Sequence, residues 1–456
     1  IHEILEKIPV DRFGVKHSRV ELKRLINLLA GPRNPAIVLI GRSGAGKSSL
    51  INALFSGYVA EVSEVTPGTG VTSTSEWQTY YLPDEKEKIG FDVLDTRGAG
   101  DIESGLLEND EGPQEVIKKQ LENKLADIVL FVAPASNLRN NMESDCKFLN
   151  MVLNIFTDDF HYQPPIVPIL NQADEVLSPD CNLPPDDEED MEILDDSMKF
   201  FNEILDNHNV KKRPDGSWFH TQQLFERIFG EDPDKKRDIK EPIPVCSYIE
   251  FRKIKDKMGN FKVAVPNEIL SDLRWNIDTL AETLVSLLPV DAAVATARIS
   301  QIKSVQKDLI KKITLTCCGI ASLVSAIPLL VADSMSVAGV QLLMVYCIAK
   351  ISGKARSFNE LSVEFLSVIG IEVLQNFGVK ELIKKFIKKN PIGIAAGAAT
   401  TFGITKAMAL AAEAYYLDEV SKEEARKIFE GEKNVDPETR EDYKPFKEQE
   451  LKEAEA

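Results

Sequence analysis

Six short strand-like runs punctuate the first 250 residues: Ala36–Ile40, Glu76–Leu82, Ile89–Leu94, Ile128–Val132, Ile166–Leu170 and Ile243–Val245. Most are apolar at nearly every position, as in strands covered on both faces, and helical or loop stretches separate them. That alternation predicts an α/β unit built on a mostly parallel sheet with flanking helices. Before the first run, Val20, Leu22, Leu25, Ile26, Leu28 and Leu29 follow a helical spacing that Gly31-Pro32 ends, so residues 1–33 read as a lead-in helix. Leu273, Ile277, Leu280, Leu284 and Leu287 fall on one face of a predicted helix over 273–288, which Pro289 stops. The α/β unit is therefore expected to span 34–289.

Beyond Val290 the pattern changes. The chain is uncharged from Ile313 to Ala332, from Ser334 to Ala349 and from Asn390 to Thr405, and lysines precede the first and third runs at 303, 307, 311, 312 and at 384, 385, 388, 389. Residues 290–417 are expected to be a hydrophobic all-α domain. Basic flanks beside apolar runs suit the cytoplasmic face of a membrane, with lipids as partners. Pro328, Asp333 and the hydroxyls Thr314, Thr316, Ser322 and Ser325 fit equally a buried helical hairpin that never meets lipid.

The net charge of −18 changes this picture little, because most of it lies in Asp180–Asp196 and in the stretch after Asp418. These read as a solvated acidic loop, within an insertion at about 176–240, and an acidic tail over 418–456. No basic stripe with interleaved aromatics is present, so nucleic acid is not expected as a ligand. The six cysteines show no C-x-x-C spacing and the five histidines no paired spacing, which predicts reduced thiols, no structural metal and a cytoplasmic setting. No charged-then-apolar leader precedes Ile1, so no signal peptide is expected.

The candidate chemistry starts where the first strand ends. Gly41-Arg42-Ser43-Gly44-Ala45-Gly46-Lys47-Ser48-Ser49 fits the pattern G-x-x-x-x-G-K-S, in which glycines let backbone amides close around phosphates and a lysine neutralises them. The run Ile89–Leu94 leads into Asp95-Thr96-Arg97-Gly98, where an aspartate at a strand end can hold a magnesium ion and a glycine amide can reach the γ-phosphate. Between them, Thr66–Thr74 is crowded with hydroxyls. Thr72, with Thr69 second, is the candidate switch ligand to the metal. The fifth run is followed by Asn171-Gln172-Ala173-Asp174; a carboxylate at Asp174 can accept both N1–H and N2–H of guanine, which adenine cannot offer.

This order of motifs resembles the translation-factor-like class of P-loop GTPases, nearest to its Era-like branch with septin-like and immunity-related members, over residues 34–289. Pro244-Val245-Cys246-Ser247 matches the place where such GTPases offer a backbone amide to the guanine carbonyl. The resemblance implies GTP and GDP as ligands and Mg2+ as cofactor. Lys47, Thr72 and Gly98 would serve catalysis, and Ser48, Thr72 and Asp95 the metal. Gly41, Ser43, Gly44, Ala45, Gly46, Lys47, Ser48, Ser49, Asp95, Gly98, Asn171, Gln172, Asp174, Cys246 and Ser247 would line the nucleotide. The region 290–417, through Ile327-Pro328 and Gln341–Val345, resembles the helical domain that follows such GTPase domains in some membrane-associated bacterial proteins.

Three positions depart from the pattern. Ala99 stands where Ras-like enzymes carry a water-orienting glutamine, which implies slow hydrolysis or a GTPase-activating partner. Gln172 replaces the usual lysine, and Gly44 replaces the asparagine of potassium-activated members. Arg42 and Arg97 are within reach of phosphate in such a fold, though ordinary structural roles suit them better. The expected function is a GTP-binding, slowly GTP-hydrolysing switch with a helical effector region at a membrane or in self-assembly. A dynamin-like or immunity-related membrane-remodelling GTPase and a hydrolysis-poor GTP-binding scaffold are the alternatives, and a homo-oligomer is compatible with each.

Overall fold

The computed structural model describes residues 26, 32–60, 76–81, 89–96, 113–139, 142–178, 183–185, 187–208, 210, 242–255, 261–263, 269–326, 334–354, 356–371, 397–435 and 443. The six apolar runs form one sheet, β1 (Ala36–Ile40), β2 (Trp77–Tyr81), β3 (Gly90–Asp95), β4 (Ile128–Pro134), β5 (Ile166–Asn171) and β6 (Ile243–Pro244), in the order β2-β3-β1-β4-β5-β6. All pairings are parallel except β2 with β3. Strands β1, β4 and β5 are buried at every position, which is why their sequences do not alternate. The edges are blunted: β2 is half-exposed, and β6 is two residues long and carries a proline.

Helices α1 (Lys47–Phe55), α2 (Pro113–Asn123), α3 (Met142–Asp159) and α4 (Glu188–Asn207) accompany the sheet. The acidic run is not a solvated loop where the structure describes it. Asp187 caps α4 by accepting the amide of Asp190, and Glu188, Glu189 and Asp190 fill the first turn, where the helix dipole favours acids. Asp190 is fully buried.

The helix expected over 273–288 begins later, as α5 (Ile277–Leu287). Leu273 lies outside it and is exposed, because the preceding residues pair in a small antiparallel sheet of β7 (Ile249–Phe251) and β10 (Ile269–Asp272). A second ribbon joins β8 (Lys253–Lys255) to β9 (Phe261–Val263). Strands of three or four residues with charged or exposed positions leave too little periodicity to be read from sequence.

The remaining helices are α6 (Val290–Ser300), α7 (Lys303–Ala326), α8 (Ser334–Ile351), α9 (Phe358–Val368), α10 (Gly397–Tyr416) and α11 (Lys422–Glu432). Helix α6 is buried along almost its whole length. It packs on α1, β3 and α5 on one side and on α7 and α8 on the other, so the hydrophobic core is continuous from the sheet into the helical region. The uncharged runs bury one another: α7 packs on α8 and α10, and α8 on α9 and α10. Their hydroxyls bond inside the helices, Thr316 to the Lys312 carbonyl and Thr405 to that of Thr401, while Gln341 donates to Thr405 Oγ1 at 2.9 Å. Among the described residues no helix is long and apolar enough to cross a membrane.

Part of the acidic tail is also ordered. Ser421 and Glu424 form a reciprocal capping box at the start of α11, and Ala425 and Phe429, four residues apart, are buried. Of residues 1–33, only Ile26, Pro32 and Arg33 lie within the described residues, and Ile26 is helical and buried in the common core.

Candidate nucleotide site

Strand β1 delivers the chain to a loop, Gly41–Gly46, that turns directly into α1. Gly44 and Gly46 adopt φ of +83° and +80°, backbone that L side chains rarely enter. A Cβ on Gly46 would also collide with the side-chain amide of Asn171. Helix α1 starts with no side-chain cap and no acid in its first turn, so its first amides and the positive end of its dipole face the loop. Lys47 folds across that loop: its Nζ donates to the carbonyls of Gly41 at 2.8 Å and Arg42 at 3.3 Å. Ser43 and Gly44 are exposed, Ala45 is buried, and Ser48 and Ser49 are half-buried in the first turn of the helix.

Beside this loop, β3 ends at Asp95. Its Oδ1 lies 3.8 Å from Lys47 Nζ and is buried without a hydrogen-bond partner. Burial pushes the Asp95 carboxyl above the usual carboxylate range, against the opposing pull of Lys47. Thr96 follows, donating both its amide and its hydroxyl to the Leu39 carbonyl at 3.1 Å, which fixes the end of β3 against β1. Thr69, Thr72, Arg97, Gly98 and Ala99 lie outside the described residues.

The segment expected to read the base stands at the end of β5. Asn171 is fully buried and donates Nδ2 to the Ala45 carbonyl at 2.9 Å and to that of Gly46 at 3.4 Å. Gln172 takes left-handed backbone, φ 59° and ψ 40°, and a single 3-10 turn, Ala173–Val176, presents Asp174 at the surface. The Ala173 amide donates to the Val245 carbonyl at 3.1 Å, tying this turn to the segment after β6. There, Cys246 is engaged in a two-way bridge: its amide donates to the Trp275 carbonyl at 3.2 Å and its own carbonyl accepts the Trp275 amide at 3.0 Å. The Cys246 amide, expected with Ser247 to line the nucleotide, is therefore engaged by Trp275. The Cys246 thiol lies beside Asp174, and burial pushes it up to about 12.

A phosphate-type loop, a buried carboxylate and a base-type turn thus meet at the carboxyl ends of β1, β3 and β5. A family model described as 50S ribosome-binding GTPase matches residues 36–172, the stretch that contains this arrangement. Residues 36–172 are thus similar to a P-loop GTPase domain. Cell division control protein 10 of Saccharomyces cerevisiae is 30% identical over 86 residues, 18% of this chain and 26% of that protein, so the chain spans about a quarter of the length of the curated relative it matches. Among solved structures, that of Toc33 from Arabidopsis thaliana in complex with GDP and Mg2+ is similar at a TM-score of 0.32 and 16% identity, covering 61% of this chain and 91% of that one.

Around the site are contacts that the motifs do not announce. Arg42 does not stand free over the loop: its Nη2 and Nε lie 3.0 and 3.1 Å from Asp145 Oδ2 on α3. Burial pushes the Asp145 carboxyl up, and Arg42 and Lys47 pull it back. The signal was present, since Asp145 interrupts the buried face of α3 formed by Met142, Cys146, Leu149 and Leu153. A charge on an apolar helical face asks for a partner. A second contact joins Ser178, four residues beyond Asp174, to Asp190 on α4; no local pattern connects the two.

Proposed function

We propose that this protein is a GTP-binding, slowly GTP-hydrolysing switch whose helical region is the effector. The observation that carries the reading is the bond from Asn171 to the Ala45 carbonyl, which supports a single site by locking the base-type turn onto the phosphate-type loop. Lys47 neutralises the phosphates, the first amides of α1 bind their oxygens, and Asn171 and Asp174 select guanine. Within the pair at β6, Ser247 offers its amide to the base.

Mg2+ suits the donors present. The buried Oδ1 of Asp95, which makes no hydrogen bond and has only Lys47 Nζ at 3.8 Å, is an oxygen suited to a cation or to water held by one, and Ser48 is the second residue of α1, next to Lys47. When bound, the ion draws charge from the β- and γ-phosphate oxygens. Thr72 as a third ligand and Gly98 as γ-phosphate sensor complete the proposal. With alanine at 99, the water-orienting group comes from another loop or a GTPase-activating partner.

The output runs through α6, whose packing on α1 and β3 as well as on α7 and α8 supports a path from nucleotide to helical region. We assign that region, over 290–417, to surface attachment at the cytoplasmic face of a membrane or to self-assembly of the chain. Within the P-loop GTPases we place the chain nearest the Era-like and septin-like members. Titration of the full chain with GTP, GDP and ATP in Mg2+ tests the reading: the guanine nucleotides bind and ATP competes weakly. Equal affinity for ATP would contradict it.

A further inference from the structure

The turn that presents Asp174 is held at three points. Its Ala173 amide donates to the Val245 carbonyl at 3.1 Å, and Ser136 Oγ donates to Glu175 Oε2 at 2.5 Å from the 3-10 turn after β4. The third point comes from a distant part of the chain. Ser178, two residues beyond the turn, donates its amide to Asp190 Oδ1 at 2.8 Å and its hydroxyl to the same oxygen at 2.9 Å.

Asp190 is built to hold that position. It is the third residue of α4, it is fully buried, and its own amide is fixed by Asp187 at 2.8 Å. The helix that carries it packs on α3, on β6 and on the 3-10 turn of Asp174 itself. An acceptor with two donors from one residue defines the location of that residue better than packing alone, because hydrogen bonds are directional.

We propose that Asp190 is a positioning residue for nucleotide selection: α4 is part of the base-recognition apparatus, and its carboxylate sets the place from which Asp174 reads the guanine edge. The inference rests on the GTP reading above. Asp174 accepts two hydrogens, N1–H and N2–H, only if the turn is fixed in register with the base. Inosine triphosphate keeps N1–H and lacks the 2-amino group, so the ratio of GTP to ITP affinity reports that register.

The test uses the full chain and equilibrium titration with GTP, ITP and ATP. Wild type prefers GTP over ITP. Asp190→Ala lowers that preference about tenfold, as expected when the two hydrogen bonds to Ser178 are lost, and leaves ATP binding, which relies on the phosphate loop, unchanged. Asp190→Asn, whose amide oxygen still accepts both bonds, restores most of the preference. Ser178→Ala, which keeps the amide bond and the fold, lowers it in part and supplies the readout should Asp190→Ala fail to fold. A GTP-to-ITP ratio unchanged from wild type in folded Asp190→Ala, or in Ser178→Ala where the former does not fold, overturns the inference. A wild type that does not distinguish GTP from ITP or ATP overturns the underlying GTP reading instead.

Discussion

Arg33 grips Asp127 with two bonds of 2.7 Å and reaches Asp291 at 3.0 Å, joining the approach to β1, the approach to β4 and the first turn of α6 at the end of the sheet opposite the phosphate loop. The Asp127 bonds hold the guanidinium pKa above its ordinary value. Arg33→Ala leaves two carboxylates of low exposure facing each other. It is expected to destabilise the protein by about 1–2 kcal/mol after allowance for the partly exposed arginine, with nucleotide affinity unchanged. Urea unfolding at low and high salt measures both the loss and its screening.

Asn171 and Gly46 make the opposite kind of tie, within the site. Asn171→Ala removes the amide that donates to the Ala45 carbonyl, and secondarily to that of Gly46, which also accepts the Leu50 amide. The expected cost is about 1–3 kcal/mol of stability, together with a loss of GTP affinity of about tenfold or more. Thermal melting and nucleotide titration separate the two.

Gly44 and Gly46 share a left-handed backbone and differ in what surrounds them. A methyl on Gly44 meets nothing within 4 Å, whereas on Gly46 it collides with Asn171. Gly44→Ala therefore costs about 1 kcal/mol of strain and leaves measurable GTP binding. Gly46→Ala abolishes binding at millimolar nucleotide.

Asp95 gives a pH dependence with a definite sign. Its folded carboxyl is raised by burial, so between the unfolded and the raised folded value the folded protein without nucleotide binds a proton more readily than the unfolded chain does. This contribution to stability is present at acidic pH and is lost as pH rises through the raised folded value. Asp95→Asn is expected to be about 1–2 kcal/mol more stable than wild type at pH 7.5, with the difference shrinking on acidification, and to bind GTP without response to Mg2+. Paired melting curves with and without Mg2+ across that range measure both effects.

Much of this was legible because the chemistry sits on strongly patterned elements. Ala36–Ile40 coincides with β1, and the loop and helix that follow it are those the phosphate pattern requires. The ribbons around Ile249–Asp272 were not legible, because three-residue strands carry no period. Nor was the buried place of Asp190 within an acidic run: composition reports mean solvation, whereas burial here is set by two bonds to Ser178. The apolar runs after Val290 were legible as helices but not as to what covers them, since lipid and protein accept the same side chains. The packing of α7 on α8 and α10 supplies the cover that the sequence left open.

The central claim is that Asp174 reads guanine. Nucleotide titration of Asp174→Asn is the most direct measurement, because the amide offers a donor where the carboxylate offers only acceptors, and xanthine carries a carbonyl in place of the 2-amino group of guanine. The account predicts that this variant loses GTP affinity by about a hundredfold and gains xanthosine triphosphate, at about 1–3 kcal/mol per exchanged hydrogen bond. Unchanged GTP affinity, with no gain for xanthosine triphosphate, would contradict it.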